Sequence, residues 1–152
     1  MPHDFAERQK NDIIRDISSL GSLANYILFC VILLALQNYY LFKILVAGLI
    51  IIYLIVILIR TFYFKERPKK LSHHNYMERL DASAFPSLHA ARIAFLGIVL
   101  ANYYKNIFFS VLASLIVLGV LYSRIYLKKH DFSDVIVGVI VGIVVSYILY
   151  TI

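Results

Sequence analysis

The chain has 152 residues and carries 15 Lys and Arg against 9 Asp and Glu, a formal net charge of +6. Hydrophobic residues make up 61% and charged residues 16%, where a soluble domain runs at about 45–50% and about 25%. Those proportions exclude a disordered chain, a coiled coil and an ordinary soluble enzyme, and they direct the positive charge toward phospholipid headgroups rather than nucleic acid.

The first 20 residues are polar and show no cleavable signal pattern. Ile13, Ile14, Ile17 and Leu20 recur at helical spacing with charges opposite them, so residues 3–20 are expected to form an amphipathic helix on the membrane surface. Five apolar stretches follow, at 23–37, 44–59, 87–103, 107–122 and 135–152. Each approaches the roughly 20 residues that cross a bilayer, and helices are the form that satisfies its backbone there. The stretch at 23–37 is the weakest and contains Asn25. The lone cysteine, Cys30, lies in it, so neither a disulfide nor a cysteine-based metal framework is expected. Tyr39, Tyr40, Tyr103, Tyr104 and Tyr150 would gather on one membrane side as an aromatic belt. Gly138 and Gly142 permit close helix contact in the last span, read as packing within the chain rather than as a dimer contact; the oligomeric state stays open.

The expected fold is therefore all-α. It is a polytopic membrane helical bundle of about five transmembrane helices plus an N-terminal amphipathic surface helix. Residues 1–152 make one membrane-embedded domain, with 1–20 the surface helix and 23–152 the transmembrane core. Of the 15 Lys and Arg, 12 fall on the side that holds the N-terminus, the 60–85 loop and the 124–134 loop. Lys43 and Lys105 fall on the other. The positive-inside rule places the rich side in the cytoplasm of a cell-membrane protein.

That side also holds the residues that carry chemistry. The 60–85 loop contains Arg60-x6-Arg67-Pro68, the third span opens with Pro86-Ser87-Leu88-His89, and the fourth is followed by Ser123-Arg124-x5-His130-x3-Asp134. Arg60, Arg67 and Arg124 are forked cations suited to phosphate oxygens. Pro86 suits a first helical position, which would put Ser87 and His89 in a first turn whose free N–H groups attract anions. His130 and Asp134 at i and i+4 would share a helical face. Asp134 could then hold one ring nitrogen and leave the other to attack, the logic of a nucleophile and its orienter. Each piece alone has a plainer reading: a basic loop, a helix start, a surface ion pair. A metal site with His73 and His74 as further ligands is the rival, weakened because adjacent histidines point apart on a helix. The ordered set, at three span ends on one side, is what chance does not supply.

In this order the three segments resemble the motifs of the type 2 phosphatidic acid phosphatase superfamily: Lys-x6-Arg-Pro, Pro-Ser-Gly-His and Ser-Arg-x5-His-x3-Asp. The resemblance covers residues 60–134 directly, and the third motif matches fully. Arg60 stands where the family has Lys, Leu88 stands where it has Gly, and five spans are counted against the family's six. The resemblance implies a metal-independent phosphatase that needs no cofactor and acts through a phosphohistidine. It makes His130 the nucleophile, Asp134 its partner and His89 the general acid. Arg60, Arg67, Ser87 and Arg124 would hold the phosphoryl group. His130 would have to be neutral and His89 protonated, which implies a bell-shaped pH–rate curve. The substrate would be a lipid phosphate, either a polyprenyl diphosphate or phosphatidate or phosphatidylglycerophosphate. A non-catalytic lipid-binding or transport module that keeps the motifs is the alternative.

Overall fold

The computed structural model describes residues 2–69 and 74–151, so Lys70 and His73 lie outside it. Among the described residues seven helices follow in order: α1 (Pro2–Ser19), α2 (Leu23–Ala35), α3 (Tyr39–Phe62), α4 (Tyr76–Ala82), α5 (Leu88–Tyr104), α6 (Ile107–Tyr126) and α7 (Phe132–Thr151). Among the described residues there is no strand. The starts are written in the sequence. Ser22, Asn38, Asn75, Ser87 and Asn106 each accept the amide of the residue three positions on, satisfying a donor that the helix leaves orphaned.

All five expected spans are helices, but they differ in reach. Tyr39–Phe62, Ile107–Tyr126 and Phe132–Tyr150 are long and apolar enough to cross a bilayer alone. Phe5–Ser19 and Leu23–Ala35 qualify only as a pair, and they are bent by 50°. The interruption falls at Gly21 and the capping residue Ser22, between the end of α1 and the start of α2. α5 has 17 residues and falls just short. His89 and Arg92 take two positions near its start.

α1 is amphipathic as expected, yet part of its apolar face is docked on protein. Ile14 and Ser18 are buried, Ser18 accepts from Arg124 of α6 at 3.0 Å, and Lys10 sits over the Tyr126 ring. Phe5 and Ile13 remain exposed.

α5 is the centre of the bundle, with α3, α6 and α7 packed around it. The core joins Leu41, Leu45, Ile52 and Val56 of α3 to Phe95 and Val99 of α5 and Val145 of α7. The outward faces of α3 and α6 expose Leu54, Leu58, Leu112 and Leu115, as a lipid-facing surface requires. The expected tyrosine belt forms at one end, where Tyr40 stacks on Tyr103 at 6.3 Å and Tyr103 meets Tyr104 edge-on at 5.0 Å.

Gly138 and Gly142 are spent on the α5–α7 contact. A Cβ at Gly138 would lie 2.5 Å from the Ser87 carbonyl oxygen, and one at Gly142 would lie 2.6 Å from that of Ala91. Both obstacles are backbone. Gly142→Val is therefore expected to force α5 from α7 and cost about 1–3 kcal/mol, read as a lower unfolding temperature in detergent.

Candidate active site

The ends of α3 and α6 and the starts of α5 and α7 meet at the end of the bundle opposite the tyrosines. A cavity of about 380 Å³ opens there. Arg60, Arg67, His89, Arg124 and His130 all line it, so five of the seven residues singled out in the sequence share one space. Arg92, Lys129, Tyr53 and Asp81 line it too.

The arginines are held largely by main-chain oxygens. Arg60, at the end of α3, donates to the Leu80 carbonyl at 2.7 Å and the Pro86 carbonyl at 2.9 Å. Arg67 donates to the carbonyl of Asp81. α4 presents the Leu80 and Asp81 carbonyls; within a loop that reads as irregular, Asn75 and Glu78 exchange hydrogen bonds across its first turn. With terminal nitrogens so occupied, the Nε atoms of Arg60, Arg67, Arg92 and Arg124 are buried without a partner. Buried donors of this kind are rare unless something else satisfies them. Five cations and one carboxylate around the cavity fit an anion.

His130 lies in the turn between α6 and α7, before the helix rather than on it. Its Nδ1 is 2.8 Å from the Ala84 carbonyl oxygen. A carbonyl only accepts, so Nδ1 carries the proton and Nε2 has the free lone pair. Burial lowers the His130 pKa from 6.5 to about 3, and the charges of Arg124 and Arg67 reinforce the shift. The ring is therefore neutral at ordinary pH, and the acid limb set by it falls well below pH 6.5.

Two expectations are corrected. Asp134 does not hydrogen-bond His130: Oδ2 is 3.9 Å from Nδ1. Its oxygens are taken by Lys65 Nζ at 2.6 Å and by the Asp131 N–H at 2.9 Å. Asp134 is fully buried and sits in the first turn of α7, where a carboxylate answers the local backbone donor before a ring two residues outside the helix. Burial by itself lowers Lys65, but the bonds to Asp134 and Asp131 outweigh it and raise its pKa. Ser87 is also displaced from its expected place. It is the N-cap of α5, fully buried, accepting from the Ala90 N–H, and it is not among the cavity residues. Pro86 accordingly precedes the cap instead of opening the helix.

Leu88, where the motif has Gly, is the first residue of α5 and lines the cavity. It is not among the positive-φ residues, so its backbone conformation asks for no glycine. Among the described residues no three His, Cys, Asp or Glu side chains gather as a metal site.

The PAP2 superfamily profile matches residues 40–152. The chain belongs to the PAP2 superfamily. The phosphatase reading of the motifs is thereby borne out at the level of the family. No curated protein matches the chain. Two solved structures share the fold. Aquifex aeolicus LpxE aligns with a TM-score of 0.79 and 22% identity, over 95% of this chain and 87% of the other. The first transmembrane PAP2 type phosphatidylglycerolphosphate phosphatase from Bacillus subtilis aligns with a TM-score of 0.77 and 20% identity, over 94% of this chain and 76% of the other.

Proposed function

We propose that this PAP2 protein is a metal-independent lipid phosphate phosphatase acting through a phosphohistidine on His130. The observation that carries the reading is a neutral His130, with Nδ1 occupied and Nε2 available, beside four arginines whose buried Nε atoms lack a partner.

In the first step Nε2 of His130 attacks phosphorus, the bond to the leaving oxygen breaks, and that oxygen takes the electron pair. His89 donates a hydrogen bond to the leaving oxygen; an alcohol leaving group would need a proton from it as well. Water then attacks the phosphohistidine, the P–N bond breaks, and orthophosphate leaves. Arg60, Arg67 and Arg124 stabilise the transferring oxygens, work that phosphoryl transfer asks of positioned charge. Each charge-assisted hydrogen bond contributes about 1.5–3 kcal/mol. Asp134 acts at a distance, its charge favouring the cationic phosphohistidine, while the Ala84 carbonyl orients the ring. Ser87 supports the site by capping α5.

Residues 1–152 serve as one domain in the cell membrane, with the cavity on the cytoplasmic side. The substrate is a phosphate monoester or diphosphate of a membrane lipid: polyprenyl diphosphate, phosphatidate or phosphatidylglycerophosphate. Its tail stays in the bilayer while its headgroup reaches the arginines.

The test is free phosphate released from those three lipids by the purified protein in detergent with EDTA. Release that persists in EDTA and stops with vanadate is expected. Activity that vanishes in EDTA and returns with a divalent metal would favour a metal mechanism. No release from any of them would favour a binding module.

A further inference from the structure

We propose that Arg92, with Tyr53, forms a second phosphoryl subsite on the leaving-group side of His89, and that the substrate is therefore a lipid diphosphate. The inference rests on the phosphatase reading above and narrows it.

Arg92 lies one helical turn after His89 on α5 and is 3% exposed. Its Nη1 donates to the Tyr53 hydroxyl at 2.8 Å, and its Nη2 to the Gly21 carbonyl at 3.0 Å. The guanidinium is thus fixed between α3, α5 and the bend that joins α1 to α2. Its Nε is buried and unpartnered while the side chain lines the cavity. No motif residue requires this arginine.

Charge supports a second group. A phosphate monoester carries about −1.5 to −2 at neutral pH. The cavity holds five cations, Arg60, Arg67, Arg92, Arg124 and Lys129, against Asp81 alone. A lipid diphosphate brings a further negative charge and spreads its oxygens over a longer span than one phosphoryl group.

Tautomer chemistry points the same way. Nη2 of Arg92 is also 3.3 Å from His89 Nδ1. A guanidinium has no acceptor, so Nδ1 must accept and the ring's proton resides on Nε2. An imidazolium has no acceptor nitrogen, so the contact and a doubly protonated His89 exclude each other. A neutral ring can donate a hydrogen bond but is a poor proton source. An alkoxide needs that proton to depart; a phosphate does not. With a diphosphate, His130 Nε2 attacks the terminal phosphorus and the P–O bond to the bridging oxygen breaks. The electron pair stays on that oxygen, and the lipid monophosphate leaves as an anion beside Arg92. Water then splits the phosphohistidine, one of its protons is released to solvent, and orthophosphate departs.

The test compares farnesyl diphosphate with dioctanoyl phosphatidate in detergent, scoring kcat/KM by free phosphate for the unaltered protein and Arg92→Gln. The unaltered protein is expected to prefer the diphosphate. Arg92→Gln should lower kcat/KM on the diphosphate at least about tenfold more than on phosphatidate, as loss of one charged contact to the departing group implies. Equal loss on both lipids would make Arg92 a structural residue and overturn the proposal. A second arm needs no variant: inorganic pyrophosphate should inhibit the unaltered protein about tenfold or more better than orthophosphate, and equal inhibition overturns the subsite even if Arg92→Gln does not fold. Hydrolysis of phosphatidate without hydrolysis of the diphosphate refutes this inference alone. Hydrolysis of neither refutes the phosphatase reading as well.

Discussion

His130→Ala is expected to reduce phosphate release to background on every lipid phosphate while leaving the fold intact. The side chain is 3% exposed, and its one close bond is to the Ala84 carbonyl. Removing it leaves that carbonyl and a small void, a cost of about 1–3 kcal/mol for the lost partner. The chemical loss is of another order. Without the ring nitrogen there is no nucleophile, and the arginines can bind phosphate but cannot transfer it. The removal of a nucleophile in other hydrolases costs several powers of ten, with a small residue from charge stabilisation alone. Asp134→Asn separates the two roles that sequence spacing conflates. It breaks the Lys65 ion pair at 2.6 Å but leaves Ala84 to hold the His130 tautomer, so its loss should be well short of that of His130→Ala in the same assay.

Arg60→Ala carries the second largest expected effect. Arg60 ties α3 to the end of α4 and to the residue before the α5 cap, and its Nε is buried without a partner at the cavity wall. Its loss removes one donor to the transferring oxygens, worth about 10²–10³ in rate where such donors are preorganised. It also strands two carbonyls, about 1–3 kcal/mol each if they stay buried. The prediction is a fall of about 10²-fold or more in kcat/KM with a lower unfolding temperature. Arg60→Lys introduces the residue that the family motif has. It keeps the charge, yet one ammonium does not reproduce a fork that reaches two carbonyls and still presents a third donor, so an intermediate loss is expected. An Arg60→Ala protein with undiminished kcat/KM would remove Arg60 from the site.

The sequence carried much of this arrangement because the site uses residue types that are costly to bury. Arginine at a span end is ordinary by itself, but arginines and histidines in this order along the chain named the family. Apolar runs showed where the helices lie but not where they begin: Asn38 caps α3, which starts at Tyr39, ahead of the run at 44–59. What spacing missed was set by contacts far apart in the chain. Lys65 takes Asp134 from across the fold, and no local pattern announces a partner 69 positions away. The docking of α1 on α6 is likewise tertiary: an amphipathic stripe is the same whether it meets lipid or protein.

Other misses had a local signal. Arg92 is three residues after His89, on the same helical face, and Lys129 adjoins His130. Asn75 and Glu78 stand at capping-box spacing just before Leu80, enough to predict α4. The His130–Asp134 pair shows the opposite error. Four-residue spacing implies a shared helical face only if both residues are in the helix, and α7 begins at Phe132.

The most direct measurement is a rapid quench of the purified protein with a lipid phosphate, followed by mass spectrometry of its peptides under conditions that preserve phosphohistidine. The account predicts a phosphoryl group on the peptide carrying His130, formed in EDTA, cleared as orthophosphate appears, and absent from His130→Ala. Full turnover by His130→Ala, or a phosphoryl group on another residue, would contradict it.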